Sequence, residues 1–250
     1  MLGYKILAVS DHAAHANSFG PAAEIYERAR PSYPDEALTW LLPTGHPRVV
    51  DLGAGTGKLT RQIHARGLSV TAVDPSDGML AELRRAVPGV PAVQGSAESI
   101  PLPDGSADAV LVAQAWHWVN PARAVPEIAR VLSPGGTLGL IWNVRDEGAD
   151  WVRRLGEIIG SEDRNRADRI GPPFAASKRA RFRWTQVLGP ERLVDLVASR
   201  SRIILLPSHE RAAVLSEVRR LMATHPDLVG RTEYELPYIT ECTRATLPAA

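Results

Sequence analysis

A glycine-rich turn between a short apolar strand and a helix constrains the fold of this chain more than any other segment. The run Arg48-Val-Val-Asp-Leu52 has the length and β-branched content of a buried strand, and it leads directly into Gly53-Ala-Gly-Thr-Gly57. Leu59 and Ile63 then lie four residues apart, which places both on one face of a helix over 58–66. The sequence therefore predicts a strand–turn–helix unit whose glycines let a ligand approach the backbone closely.

Strands and helices alternate through the middle of the chain. Further strands are predicted over 69–74, 91–95, 107–113 and 137–142, and helices over 77–87 and 123–132. Strands joined by helical crossovers form a parallel sheet with helices on both faces. A late strand over 234–242 has no helix after it, so we expect it to join the sheet in the antiparallel direction. The predicted fold is an α/β, Rossmann-like, doubly wound and mostly parallel sheet with one late antiparallel strand.

Composition divides the chain into three regions. Residues 1–47 are polar and punctuated by proline, and we predict an N-terminal extension with a helical lid. Residues 48–143 carry the alternating pattern and form the predicted ligand-binding core. Residues 144–250 are richer in arginine, and we expect them to complete the same domain and to shape a pocket for a second ligand.

Charge and cysteine content exclude several classes of protein. The 250 residues carry 29 basic and 28 acidic side chains, a net charge of +1, which disfavours nucleic acid as the main partner. The one cysteine, Cys242, excludes an intramolecular disulfide framework and an all-cysteine zinc site. No uninterrupted apolar run is long enough to span a membrane. We expect a cytoplasmic protein.

Two familiar phosphate-binding patterns fit the glycine turn poorly. A P-loop requires a glycine where this chain has Leu52 and a hydroxyl residue where it has Leu59, so that interpretation fails. The dinucleotide fingerprint requires its third glycine at the position of Lys58, which weakens that interpretation without eliminating it.

A third pattern fits every position. The run Asp51-Leu-Gly-Ala-Gly-Thr-Gly57 resembles motif I of the class I S-adenosylmethionine-dependent methyltransferases. Residues 94–104, 107–118 and 127–136 resemble the type 11 methyltransferase domain, whose members include the ubiquinone/menaquinone-biosynthesis-like enzymes. The resemblance covers residues 48–142. It implies methyl transfer from S-adenosylmethionine to a small organic acceptor, with S-adenosylhomocysteine as the product.

The resemblance also implies cofactor contacts at the ends of several strands. The start of the helix after the glycine turn offers N–H groups to the methionine carboxylate. Asp74, about 20 residues downstream, is expected to accept both ribose hydroxyls, or else to cap a turn. Ser96 stands where many relatives have an acid that reads the adenine amino group. The implied cofactor-binding residues are Tyr26, Arg30, Asp51, Gly53, Ala54, Gly55, Thr56, Gly57, Asp74, Pro75, Met79, Ser96, Ala97, Gln114, Ala115 and Trp116.

Aromatic residues and one histidine are candidates for the acceptor side. Aromatic faces favour the sulfonium cation, and we predict Tyr33, Trp118 and Asn143 in the acceptor pocket. The alternative is that the tryptophans pack a helix onto the sheet. His117 is a candidate catalytic base for an oxygen acceptor, or else faces solvent or bonds a backbone carbonyl. Arg30 is a candidate clamp for the methionine carboxylate, or else a surface arginine.

Two other functions stay open at this point. One is a nicotinamide-dependent oxidoreductase built on the same half-fold, and the other is a non-catalytic S-adenosylmethionine-binding protein. No metal is expected, because His12 and His15 have the spacing of ligands but lack a second pair. The expected partner is a small-molecule methyl acceptor, and the sequence does not decide between a monomer and a homodimer.

Overall fold

A computed structural model describes residues 30–160 and 170–249, which form one seven-stranded sheet flanked by helices. The strands are β1 (Arg48–Leu52), β2 (Ser69–Asp74), β3 (Ala92–Gln94), β4 (Ala107–Ala113), β5 (Leu132–Arg145), β6 (Lys178–Leu188) and β7 (Tyr234–Thr246). The helices are α1 (Asp35–Leu41), α2 (Lys58–Ala65), α3 (Asp77–Ala86), α4 (Pro121–Val131), α5 (Asp150–Ile159), α6 (Pro190–Ala198), α7 (Ser201–Ile204) and α8 (Ser208–Thr224). The predicted N-terminal lid and Tyr26 lie outside the described residues.

The strand order is β3-β2-β1-β4-β5-β7-β6. The first five strands are parallel to one another, and β7 runs antiparallel to both β5 and β6. This confirms the predicted α/β sheet and its late antiparallel strand. The chain winds outward from β1 to β3 and then returns to β4, so the carboxyl ends of β1 and β4 border the point where the winding reverses. Ligands of such sheets bind at that point.

Local capping and pairing move two boundaries from their predicted positions. Helix α4 begins at Pro121 instead of residue 123, because the Asn120 side chain accepts a hydrogen bond from the Ala122 amide at 3.1 Å. Proline suits this first turn because its missing N–H has no partner there in any case. Strand β5 begins at Leu132 instead of residue 137, because Leu132 pairs with Ala107 of β4.

Helix α5 was not predicted, although it carries a buried apolar face. Its Trp151, Val152, Leu155 and Ile159 pack in one cluster with residues of α6, α8 and the start of β7. The second half of the chain therefore adds a helical layer to the β6–β7 end of the sheet. The predicted boundary at 143/144 falls inside β5, so the sheet continues across it. Within the described residues, no helix is long and apolar enough to cross a membrane.

Candidate active site

A cavity of about 690 Å³, including its mouth, opens at the carboxyl edge of the sheet. Its walls come from the glycine turn, the ends of β4 and β5, the start of β7 and the helical layer around α6. The lining residues are Arg30, Pro31, Tyr33, Asp51, Gly53, Ala54, Gly55, Thr56, Lys58, Leu59, Ala113, Gln114, Asn143, Arg145, Leu196, Arg200 and Tyr238.

The glycine turn forms one wall through two glycines with different surroundings. Gly55 has a φ of +55°, lines the cavity, and has nothing within 4 Å of the place where a Cβ would stand. Gly57 has a φ of +87°, and a Cβ there would lie 2.7 Å from Leu83 Cγ of α3. Gly55 thus leaves open space for a ligand, whereas Gly57 lets α2 and α3 pack closely. Both φ values favour glycine.

Asp51 places a buried carboxylate against the cavity. Its Oδ2 accepts a hydrogen bond from the Thr60 hydroxyl at 2.5 Å, and its side chain is fully buried. Its Oδ1 has no hydrogen-bond partner within residues 30–160 and 170–249. Burial raises the pKa of Asp51 to about 7, aided by the nearby charge of Asp74 and opposed by the bond from Thr60. The free oxygen is therefore a ready acceptor for a cationic ligand group.

Asp74, at the end of β2, ties the glycine turn to the start of α3. Its Oδ2 accepts from the Gly55 amide at 2.8 Å, and its Oδ1 accepts from the Ser76 amide at 2.8 Å. Burial raises the pKa of Asp74, while these two amide donors lower it. Each carboxylate oxygen keeps a second lone pair, so Asp74 can still accept two hydroxyl groups.

A polar network closes the cavity at the ends of β4 and β5. Gln114 has a φ of +57°, unusual for a residue other than glycine, and its Nε2 donates to the Asn143 carbonyl at 3.4 Å. The buried Asn143 side chain donates to the Ser32 carbonyl at 2.9 Å and accepts from the Thr240 hydroxyl at 2.6 Å. Asn143 thereby holds the segment before α1 against the sheet edge.

Most of the charged residues that line the cavity are positive. Arg30, Lys58, Arg145 and Arg200 line the cavity, whereas Asp51 is the one acid among the lining residues. Lys58 donates to the Arg30 carbonyl at 2.7 Å, and Arg30 donates to the Ser199 carbonyl at 3.3 Å, which links α2 to the end of α6. The cavity is therefore suited to ligands with anionic groups.

Comparisons with known proteins assign the family. The methyltransferase domain family matches residues 50–140. An uncharacterized methyltransferase of Mycobacterium tuberculosis is 57% identical over 232 residues, covering 92% of this chain and 96% of that protein. The chain belongs to the methyltransferase domain family.

Solved structures support the methyltransferase fold. A protein of Anaeromyxobacter dehalogenans provisionally named a type II methyltransferase has a TM-score of 0.64 at 23% identity, covering 88% of this chain and 99% of that one. A Haemonchus contortus phosphoethanolamine N-methyltransferase, solved with S-adenosyl-L-methionine, has a TM-score of 0.57 at 16% identity, covering 99% of this chain and 61% of that one.

Many of the site residues predicted from the sequence line one cavity of this methyltransferase. The lining includes the sequence-predicted residues Arg30, Tyr33, Asp51, Gly53, Ala54, Gly55, Thr56, Gln114 and Asn143. Asp74 stands directly behind this wall through its bond to Gly55. Glu98, which follows the predicted adenine contacts, accepts from the Asn120 amide at 2.8 Å. The other predicted residues within the described ranges lie outside the lining, namely Gly57, Pro75, Met79, Ser96, Ala97, Ala115, Trp116, His117 and Trp118.

His117 and its neighbouring tryptophans lie beside the cavity in a short 3₁₀ turn. Trp116 is buried in the core cluster around β4 and β5, as expected for a packing residue. The exposed His117 ring lies 4.5 Å from the Trp118 ring and 5.5 Å from the Trp142 ring, measured between centroids. Trp118 is 51% exposed. A catalytic role for His117 therefore stays a prediction that this geometry does not favour.

Eight lining residues were not predicted from the sequence. Pro31, Lys58, Leu59 and Ala113 lie within two residues of predicted ones, whereas Arg145, Leu196, Arg200 and Tyr238 come from the least regular part of the sequence. Arg145 is the last residue of β5, and no sequence motif includes it. Leu196 and Arg200 lie in and after α6, and Tyr238 pairs with Arg145 across β5 and β7. The register of β7 against β5, which the periodicity of the sequence does not encode, brings Tyr238 to this edge.

Proposed function

We propose that this methyltransferase transfers a methyl group from S-adenosylmethionine to a small organic acceptor in the cavity. The observation that carries the proposal is the buried carboxylate of Asp51, a lining residue whose Oδ1 has no hydrogen-bond partner among the described residues. The cofactor supplies an electrophilic methyl group on a sulfonium. Because the reaction is an in-line displacement, the protein's main task is to align the acceptor and to exclude water.

Each part of the cavity wall suits one part of the cofactor. Asp51 would accept hydrogen bonds from the α-ammonium, and Arg30 would pair with the methionine carboxylate. The open space at Gly55 would admit the nucleoside, and Asp74 would accept the ribose hydroxyls. The adenine contacts proposed at Ser96 and Ala97, beside Pro75 and Met79, follow from the sequence resemblance. The acceptor would then lie toward β5 and β7, beyond Gln114.

Under this function, each of the three regions predicted from the sequence would have the role first expected for it. Residues 48–143 would hold the cofactor, and residues 144–250 would supply most of the acceptor wall. The segment 1–47 would close over the site, since its last part already contacts the sheet edge through Asn143. The family assignment favours methyl transfer over hydride transfer from a nicotinamide.

A transfer assay tests the proposed reaction. Purified protein incubated with S-adenosylmethionine carrying a deuterated methyl group and a small-molecule extract is expected to form S-adenosylhomocysteine and a labelled compound of low mass. The Asp51→Asn variant serves as the paired control with impaired cofactor binding. Label found only in protein or nucleic acid, or no transfer with any acceptor, would contradict the small-acceptor proposal.

Cofactor binding is expected to release a proton from Asp51. With a pKa of about 7, about three quarters of the unliganded molecules carry this proton at pH 6.5. A cationic ammonium beside Oδ1 favours the carboxylate and lowers the pKa, so the complex holds Asp51 ionised. Calorimetric titration with S-adenosylhomocysteine in two buffers of different ionisation enthalpy should detect a release of about 0.7 proton per site.

The Asp51→Asn variant is the matched control for this proton. It keeps the side-chain shape and an oxygen that can accept from Thr60, but it has no proton to release. We expect weaker binding of S-adenosylhomocysteine and a buffer-independent enthalpy at pH 6.5. The same buffer dependence in wild type and variant would show that the proton comes from elsewhere.

A further inference from the structure

Arg145 is a buried cation whose Nε has no hydrogen-bond partner among the residues that the structure describes. Its side chain lines the cavity, and the residue is only 7% exposed. Burying an unpaired guanidinium is costly, whereas pairing it with an anion recovers much of that cost. A ligand anion would supply the missing partner.

Two acids that follow Arg145 in the sequence, Asp146 and Asp150, are engaged elsewhere. Asp146 pairs with Arg183 at 3.0 Å, and its amide bonds to the Pro237 carbonyl. Asp150 accepts from His225 at 3.1 Å and pairs with Arg154 at 2.8 Å. Neither of these two carboxylates therefore neutralises Arg145.

The position of Arg145 assigns its anion to the acceptor and not to the cofactor. Asp74 ends β2 and Asp51 lies in β1, so the proposed adenosine and methionine sites occupy that side of the cavity. Arg145 ends β5, two strands beyond β1, or about 10 Å away at the usual strand spacing. Arg30 and Lys58, beside the glycine turn, are nearer candidates for the methionine carboxylate.

The walls around Arg145 are aromatic and apolar. Tyr238 pairs with Arg145 across β5 and β7 and is 4% exposed, and Leu196 and Tyr33 are also buried in the lining. A planar guanidinium within such walls matches a carboxylate on an apolar body, because its N–H groups form two parallel bonds to the two oxygens. Arg200, at the end of α6, adds a second cation to the same lining.

We propose that the methyl acceptor is a small carboxylic acid whose carboxylate pairs with Arg145. The inference rests on the proposed function and names the substrate class of the same site. Arg145 acts as a specificity-determining residue: it selects acids over neutral isosteres and orients them toward the end of β4, where the methyl group would arrive.

Binding of acid–amide pairs to the S-adenosylhomocysteine complex tests the proposal. The probes are hexanoate with hexanamide, benzoate with benzamide, succinate with succinamide, and phenyl phosphate, each titrated by calorimetry. We expect at least one acid to bind at least about tenfold more tightly than its amide to the wild-type protein. Arg145→Gln should abolish this preference, and Arg145→Lys should retain part of it, since lysine keeps the charge without the planar fork.

The control is Arg123→Gln, which removes the same charge from an exposed position outside the cavity. It is expected to bind every probe as the wild type does. Acid preference that survives in Arg145→Gln, no acid that outperforms its amide, or phenyl phosphate bound tenfold more tightly than benzoate would each overturn the proposal.

Titration with S-adenosylhomocysteine alone separates this inference from the function on which it rests. Wild type and Arg145→Gln should bind it equally and melt as cooperative folded proteins. A tenfold loss of S-adenosylhomocysteine affinity in Arg145→Gln would assign the arginine to the cofactor and overturn the acceptor proposal. Failure of the wild type to bind it would instead contradict the proposed function itself.

Discussion

Replacing Asp74 by alanine is expected to weaken S-adenosylhomocysteine binding by at least about 100-fold, or about 3 kcal/mol. The carboxylate would lose two charge-assisted bonds to the ribose, each of which typically contributes about 1.5–3 kcal/mol. The Gly55 and Ser76 amides would also lose their acceptor, so the glycine turn would become less ordered. Calorimetric titration measures the affinity, and a thermal melt of the same preparation measures the cost to folding.

Asp77→Ala is the matched control for Asp74→Ala. Asp77 lies three residues away in the first turn of α3, and its side chain is exposed and 3.5 Å from Arg84. We expect its removal to change the affinity by less than about twofold, because an exposed pair contributes little. An Asp74→Ala protein that binds as tightly as Asp77→Ala would remove Asp74 from the cofactor site.

Replacing Gly55 by valine is expected to impair cofactor binding, whereas replacing Gly57 by valine is expected to impair folding. Gly55→Val should reduce S-adenosylhomocysteine affinity by at least about 100-fold, because the side chain would occupy the space proposed for the nucleoside. Its folding cost should stay near the 1–2 kcal/mol of a left-handed residue, since nothing lies within 4 Å of the added Cβ. Gly57→Val should lower stability by about 3 kcal/mol or more, because its Cβ would also meet Leu83 at 2.7 Å.

Thermal melts and titrations of the two valine variants together test this separation. The binding loss should be confined mainly to Gly55→Val and the melting loss to Gly57→Val. If Gly55→Val binds normally, the cofactor does not approach the turn at Gly55. If Gly57→Val melts like the wild type, the contact between Gly57 and Leu83 relaxes without cost.

The sheet could be predicted largely because its signals are local. The strand before Gly53 and the β-branched runs of β2 and β4 each depend on neighbouring residues. The antiparallel direction of β7 followed from the absence of a helix after it. Helix α5 was not predicted, although Trp151, Val152 and Leu155 have the spacing of one helix face and are buried in the structure.

More of the cofactor side of the candidate site than of the acceptor side could be predicted from the sequence. Asp51, Gly53 and Gly55 lie within one short motif, so their proximity follows from the chain itself. Arg145 and Tyr238 are 93 positions apart and meet only through the register of β5 with β7. The periodicity of the sequence does not encode that register, so only the structure shows that the two residues meet.

One titration tests the central claim most directly: calorimetry of the full chain with S-adenosylmethionine, S-adenosylhomocysteine and NAD. We expect both sulfur ligands to bind in the micromolar range at one site per chain, and NAD not to bind. The Asp51 oxygen, the Gly55 space and Asp74 together suit a methionine-bearing nucleoside. Binding of NAD without either sulfur ligand, or binding of none of the three, would contradict the account.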